Sequence, residues 1–355
     1  MPQRWSKSAP SRLCAGPRLD WHRKQQRSLR SHSGPAHQDG PTIEKEQDYV
    51  PIAYGFSRYG GTDVQEVLDL DRPTPGAGEL LVAVRAAGVN PVDWKIREGY
   101  LAEVMPLSLP VAFGREVSGV VEEVGQDVAG FSIHDEVLGS VAPGSGGYAE
   151  FTLVTASTAT KKPPQVSFTD AAALPVAAGT AYDAIGQLEL REGESLLING
   201  IGGGVGVAAA QLARDRGVFV LGTGSEEKRE LAESLGATLV TYGDSVADRV
   251  RAIMPNGVDA VLDLVGGDAL RSVAALASDR SRLLTTTDPD AVAELGGRGV
   301  ERDGSGAVLA EIVQLVADGK LDPHVSDVVP LDRAAEALAS VESGHTRGKV
   351  VVSVP

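Results

Sequence analysis

The run Leu196-Leu197-Ile198-Asn199-Gly200-Ile201-Gly202-Gly203-Gly204-Val205-Gly206 is the segment whose residue types and spacing say most about chemistry. An apolar stretch, Ser195–Asn199, ends in glycines, and Val207-Ala208-Ala209-Ala210-Gln211-Leu212-Ala213 then continues as an alanine-rich helix. Gly200, Gly203 and Gly206 give the spacing G-x-x-G-x-x-G. Without Cβ atoms they permit a tight turn, let the backbone around Gly203, Gly204 and Val205 touch a pyrophosphate, and pack the helix onto the sheet. The helix start adds free N–H groups and the positive end of its dipole. A glycine triplet also joins strands to helices for steric reasons alone. Between an apolar strand and helix, in a chain of further βα units, it points to a dinucleotide.

Which dinucleotide depends on the end of the next strand. A carboxylate there holds the ribose 2′-hydroxyl of NAD. This chain has Leu221-Gly222-Thr223-Gly224-Ser225, with Lys228 and Arg229 within the following turn. Ser225 and Lys228 would accept a 2′-phosphate that a carboxylate repels, so NADP(H) is the expected cofactor. Each has a plainer reading, Ser225 as a helix N-cap and Lys228 as a solvated surface charge. Glu226 and Glu227 weigh against the phosphate.

Other chemistries find little support. The single cysteine, Cys14, excludes an internal disulfide framework and any zinc site built from several thiolates. It fits a reducing cytoplasm, the expected compartment. The six histidines do not cluster, and no G-x-S-x-G nucleophile elbow occurs.

The elements that must position the loop come from 355 residues, enough for two domains, with 42% hydrophobic and 23% charged residues. No apolar run is long enough for a membrane span. The net charge of -15 is uneven: residues 1–48 carry nine Lys/Arg and five Asp/Glu, leaving 24 basic against 43 acidic residues beyond them. An acidic body repels phosphate backbones, so nucleic acid is not an expected partner. Residues 1–48 lack an apolar signal core, and Pro10 and Pro17 spoil an amphipathic transit helix. They read as a disordered basic extension.

Residues 49–174 read as short strands (Gln65–Leu70, Glu79–Val89, Val117–Val124, Tyr148–Val154) in an irregular, partly closed β domain. From about residue 175 to 318, apolar strands at Ser195–Asn199, Val218–Gly222, Thr238–Tyr242, Asp259–Val265 and Arg282–Thr286 alternate with helical segments. That alternation predicts a doubly wound parallel sheet covered on both faces. Residues 319–355, with a strand at Lys349–Val354, are expected to return to the first domain.

These segments together resemble the medium-chain dehydrogenase/reductase superfamily, specifically its zinc-free quinone oxidoreductase branch. The resemblance covers about residues 50–355 and rests on Ala87-Gly88-Val89-Asn90-Pro91-Val92-Asp93-Trp94-Lys95, Gly114-Arg115-Glu116-Val117-Ser118-Gly119-Val120-Val121, Gly147-Tyr148-Ala149-Glu150, Ala171–Tyr182, the glycine loop, Asp263-Leu264-Val265-Gly266-Gly267 and Gly344–Val352. It implies a GroES-like, partly closed β-barrel domain interrupted by a Rossmann domain, with the active site between them. Zinc-using members place a Cys where this chain has Asn90 and a Gly-His-Glu where it has Gly114-Arg115-Glu116. Arginine cannot ligate zinc, so the expectation is no metal.

The resemblance also implies roles. Asn90 lies near the nicotinamide ribose and substrate, or is a turn residue before Pro91. Thr180 meets the nicotinamide, or is an ordinary helix residue. Tyr242 lies on the adenine phosphate side, or is an edge aromatic. Val265 and Gly266 line the nicotinamide pocket through their backbone. Lys349 lies near the cleft, although lysines on terminal strands are usually solvated. Asp93 bonds within its segment or orients Lys95. Tyr100 and Lys95 sit where a proton donor is wanted, yet an ordinary phenol or ammonium serves poorly. The expected activity is hydride transfer from NADPH to a quinone or α,β-unsaturated carbonyl, a small-molecule substrate, with a homodimer allowed. Two other readings stay open, an enoyl reductase for acyl thioesters and an NADPH-binding sensor with vestigial catalysis.

Overall fold

In a computed structural model, residues 50–355 are described, and Val50–Pro355 form one contiguous unit. The basic extension expected over residues 1–48 lies outside the described residues. The alternation after Ser195 produces six parallel strands, β8 (Ser195–Asn199), β9 (Phe219–Gly224), β10 (Thr238–Thr241), β11 (Ala260–Asp263), β12 (Leu283–Thr285) and β13 (Arg298–Gly299). Their spatial order is β10-β9-β8-β11-β12-β13, so the chain reverses direction across the sheet at β8. Ligands of open α/β sheets bind at such a switch point, beyond the carboxyl ends of the strands. The two faces are read directly from β8. Leu196 and Ile198 enter one buried cluster, with Val207 and Ala210 of the following helix, while Leu197 enters another with Val261 and Leu270. Period-two alternation of wholly apolar residues is what a sheet covered on both sides requires.

The other large sheet runs β14 (Val325–Pro330), β15 (Lys349–Ser353), β3 (Glu79–Val89), β5 (Glu116–Val124), β6 (Glu136–Val141), β7 (Phe151–Lys161). An additional β3–β7 pairing partly closes it into a barrel. A small sheet of β1 (Ile52–Phe56), β2 (Gln65–Asp69) and β4 (Val111–Ala112) lies beside it. The terminal strand thus does return: β15 pairs antiparallel with β3, Val350 opposite Val89. That register brings Lys349 beside Asn90, at the start of the short helix α1 (Pro91–Arg97). The strand expected at Tyr148–Val154 instead begins at Phe151, because Tyr148 and Ala149 leave the Gly146-Gly147 turn as a buried connection to β1. β1, β6, β14 and α1 were not anticipated.

In the chain, a helical segment connects the two large sheets. The structure has α2 (Phe168–Ala172), a π-helical turn over Leu174–Ala178 containing Pro175, and α3 (Gly179–Gln187). Such π turns often accompany functional sites. No helix among the described residues is long and apolar enough to cross a membrane.

Leu197 and Ile198 are fully buried on opposite faces of β8. Leu197→Ala and Ile198→Ala are each expected to destabilise the protein by about 2–5 kcal/mol, read from the urea midpoint. A loss under about 1 kcal/mol for either would mean that its face of the sheet is not packed as described.

Candidate active site

The glycine turn is built as its spacing demands. Gly200 has φ +96°, and a Cβ there would meet the Val265 side chain at 2.9 Å. At Gly206 a Cβ would lie 2.6 Å from the Ile201 carbonyl oxygen, so this position brings helix α4 (Gly204–Asp215) tight against the turn. Gly203 is the N-cap and offers no side-chain cap, and a Cβ there would meet nothing within 4 Å. The space that a side chain would fill is open, and the first-turn amides of Gly204, Val205 and Gly206 have no intrahelical acceptor. This cradle fits a pyrophosphate.

Under the turn, buried polar groups fasten the strand ends. The Asn199 side-chain amide donates to Asp263 Oδ1 at 2.7 Å, and the Thr223 hydroxyl donates to Asn199 Oδ1 at 2.6 Å. Asp263, fully buried, also accepts from the Thr285 hydroxyl at 2.7 Å and from the Gly266 amide at 3.0 Å. That last bond fixes the Val265-Gly266 turn at the end of β11. Thr223, which also accepts from the Gly200 amide at 3.0 Å, supports the loop from below and is not free to read a ribose.

On the barrel side stands a second buried network. Glu116 is fully buried, Lys349 is 3% exposed and Asn90 is 4% exposed. Lys349 Nζ lies 2.7 Å from Glu116 Oε1 and 2.8 Å from Asn90 Oδ1, and the Asn90 amide donates to Glu116 Oε1 at 2.7 Å. Glu116 Oε2 accepts the Val176 amide of the π turn at 2.7 Å. The Lys349 stem lies against Gly204, where a Cβ would come within 2.6 Å. The carboxamide of Asn90 is therefore fixed by an ion pair that touches both the π turn and the glycine loop. Lys349 is not the solvated terminal lysine that composition suggests, because it finds a carboxylate and two oxygen acceptors inside.

Asp93 caps α1 reciprocally, accepting the Asn90 backbone N–H at 2.8 Å, and takes a 3.3 Å hydrogen bond from the Tyr148 hydroxyl. Its Oδ1 is buried with no partner. Burial pushes its carboxyl from the usual 3.8 up to about 7, against the opposing Asn90 hydrogen bond and the charge of Lys349. Burial likewise raises the Tyr148 phenol, helped by the nearby Asp93 carboxyl. The suggestion that Asp93 orients Lys95 does not hold, since Lys95 lies over the Trp94 ring, 5.8 Å from its centroid.

The remaining candidates fall into two groups. Thr180 joins the site on α3: its hydroxyl donates to the Val176 carbonyl at 2.6 Å and accepts from Arg302 at 2.5 Å. Val265 is exposed at the strand end, and Gly266 has φ +83°. Tyr242 is exposed just beyond β10 and does not pack as an edge aromatic. Tyr100 is also exposed, edge-on to Trp94 at 6.1 Å, and none of the hydrogen bonds above reaches it. Ser225 precedes a short 3-10 turn, but its side chain makes no cap bond. Lys228 contradicts its reading as a solvated charge. It is 8% exposed, folds over Gly202, and donates to the carbonyls of His345, at 2.9 Å, and Thr346. Burial lowers its pKa, as does the charge of Arg347.

Sequence reasoning missed Arg347, Arg302, the Tyr148 hydroxyl and the Asp263 network. A carboxylate at the end of an otherwise apolar central strand was the visible signal for the last. Arg347 lies in the segment 345–348 that covers the loop, where Gly348 donates to Gly202 O at 2.9 Å. Nothing local announces that contact.

A Rossmann sheet with an open phosphate cradle, set against a half-closed barrel that supplies buried polar side chains, defines a two-part, dinucleotide-dependent oxidoreductase. Comparison with known proteins gives the family. Residues 76–164 match the alcohol dehydrogenase GroES-like domain, and residues 235–352 match the domain described as a zinc-binding dehydrogenase. The quinone oxidoreductase of Sus scrofa is 33% identical over 312 residues, 82% of this chain and 93% of that protein. The 2-methylene-furan-3-one reductase of Solanum lycopersicum is 33% identical over 315 residues, 84% of this chain and 78% of that one. Among solved structures, the quinone oxidoreductase from Coxiella burnetii superposes with a TM-score of 0.78 at 30% identity, covering 86% of this chain and all of its own. A mycobacterial protein solved with NADPH gives 0.76 at 29%, covering 85% and 99%. The chain belongs to the medium-chain dehydrogenase/reductase superfamily, in its quinone oxidoreductase branch. It is an oxidoreductase of the nicotinamide-binding kind.

The Asp93 carboxyl gives a pH test. With a folded value of about 7 against 3.8, the native chain holds a proton between those pH values that the unfolded chain has lost. Stability therefore falls as pH rises through that window. Asp93→Asn removes this term. The variant's stability relative to wild type should improve by a few kcal/mol from about pH 5 to about pH 8, measured by urea unfolding at both. A difference independent of pH would mean that Asp93 titrates normally.

Proposed function

We propose that the protein reduces quinones or α,β-unsaturated carbonyl compounds with NADPH and without a metal. The observation that carries this reading is the donor set around Asn90. It consists of a carboxamide, an ammonium and a carboxylate bound to one another. Such groups orient an acceptor through hydrogen bonds but cannot polarise an alcohol as a Lewis acid would. Among the described residues, no group of three or more His, Cys, Asp or Glu is placed to hold a metal. An acceptor that is already electrophilic needs mainly orientation and exclusion of water. The tomato relative is named for reducing an enone and the pig relative for reducing quinones.

NADPH, when bound, supplies the hydride; the chain's residues hold it and the acceptor in register. The amides of the α4 first turn would take the pyrophosphate. The backbone of Val265 and Gly266, with Thr180, would border the nicotinamide, and Asn90 would face its ribose. Ser225 and Arg347 would take the 2′-phosphate. Lys228 would hold the 345–346 segment over the loop. Tyr242, which is exposed, would border the adenine side. The cytoplasm is the proposed compartment, in keeping with a chain whose only cysteine is Cys14.

NADPH should be used at least tenfold more efficiently than NADH. A charged contact to the phosphate is worth roughly 1.5–3 kcal/mol. Arg347→Ala should therefore raise KM for NADPH about tenfold and leave NADH nearly unchanged. Lys228→Ala should weaken both cofactors, because it releases the covering segment. Equal use of NADH by wild type would contradict the phosphate assignment.

Elemental analysis should find no zinc in the purified active protein, and chelators should leave turnover intact. Near one zinc per chain, with activity lost on chelation, would overturn the metal-free mechanism.

A further inference from the structure

Beside the Asn90 network lies a small cleft that the proposed reaction leaves without an assignment. Phe56, Ile96, Leu107, Val111 and Phe113 wall it, two charged residues, Asp93 and Arg115, stand on its lining, and its interior has room only for a small group. Its position follows from the chain. Asp93 sits on the helix that Asn90 caps, and Arg115 immediately precedes Glu116, which holds Asn90. The cleft is therefore adjacent to the Asn90 network.

Arg115 is only half satisfied. Its one hydrogen bond among the described residues reaches the Ser145 carbonyl at a long 3.5 Å, although a guanidinium has five donors. Asp93 is 2% exposed, and its Oδ1 is closed off with no partner. A partly buried guanidinium with free donors, in an apolar wall, is a group prepared for an oxyanion or carboxylate.

We propose that this cleft binds the anionic end of the acceptor, a carboxylate or comparable oxyanion carried on a flat quinone or enone, with Arg115 as its specificity-determining residue. This rests on the reductase reading above and narrows its substrate class. Arg115 suits the charge, and the apolar walls leave room for that charged end alone.

Electrostatics agree. The charged and titratable groups facing Asp93 are Lys349, Glu116, Tyr148 and Arg115. Lys349 and Glu116 neutralise each other in their ion pair, and Tyr148 stays neutral. The sign of the cleft is then set by Asp93 and Arg115. With Asp93 raised to about 7, the cleft is positive below that pH and approaches neutrality above it.

The test compares 3-benzoylacrylate with its methyl ester, two enones differing in one charge. Each reduction consumes one NADPH and one proton, placing hydride on one alkene carbon and a solvent proton on the other. Wild type should favour the carboxylate at least tenfold in kcat/KM at pH 6. Arg115→Gln should remove that preference through KM, and Arg115→Lys should restore part of it. The preference should also shrink as pH rises to 8.5. Equal use of the two acceptors by wild type, or a preference untouched by Arg115→Gln, overturns the subsite while the reductase reading stands. A preference that does not fall with pH removes Asp93 from it. Calorimetry with the saturated product 3-benzoylpropionate and its ester separates the two proposals. If neither enone is reduced yet the carboxylate binds in an Arg115-dependent way, the reductase reading fails and the anion subsite stands. If neither is reduced and the carboxylate binds no better than the ester, both fail.

Discussion

A buried ion pair between residues 233 positions apart organises this molecule. Lys349 opens the terminal strand, Glu116 opens β5, and their contact at 2.7 Å is closed to water. Taking two charges out of water is costly, and the attraction offsets that cost only when the remaining donors and acceptors are also satisfied. Here they are. Asn90 completes one side, the Val176 amide takes the second carboxylate oxygen, and the Val89 carbonyl takes a further ammonium proton. Five segments meet at one point, and removing either ion would leave the other buried and unpaired. Hydrophobic residues of similar volume can pack as stably, but they would not hold the Asn90 carboxamide at a defined angle. The pair is better understood as positioning than as stability.

That arrangement explains the division of the site. The nucleotide half is made almost entirely of backbone, with glycines that remove side chains and a helix start that leaves amides free. Its geometry is fixed by local sequence, because each glycine answers a steric demand within a few residues, as at Gly200 and Gly206. The barrel half is made of side chains brought from distant strands, and its geometry is fixed by tertiary pairing. The Asp263 network belongs to the first half and shows the boundary between the two. It uses buried side chains, yet all of them lie at the ends of neighbouring parallel strands, so the sheet alone brings them together.

The same division governs what could be read from the residues. The parallel sheet, the glycine turn and the returning terminal strand were legible because each leaves a periodic or local trace. Lys349 and Lys228 were not. Considered alone, a lysine on a short amphipathic segment is a surface charge, and only the fold shows that each reaches buried acceptors. Lys228 bonds carbonyls 117 and 118 positions away, a separation that no window of sequence covers. The resemblance to a family named Asn90, Thr180 and Lys349 as site residues but carried no information about which atoms they engage. Tyr100 shows the converse. Segment position suggested it, and the structure leaves it exposed beside Trp94, away from the buried groups.

Asp93 connects these two modes of organisation. Its backbone-directed role is local: as the third residue of α1 it closes a reciprocal cap with Asn90, a pattern visible in the spacing Asn90-x-x-Asp93. A solvent-exposed cap of this kind would be ionised at neutral pH and would matter only to the helix. Here Tyr148 and the barrel wall cover it, and one oxygen is left without a partner. No protein donor reaches that atom, and burial disfavours its charge, so the proton becomes the cheapest remaining stabiliser of the carboxyl. A residue placed by helix chemistry thereby acquires a charge state that depends on its surroundings. Since it lines the same cleft as Arg115, the capping of a seven-residue helix and the charge of that cleft are set by one carboxyl group.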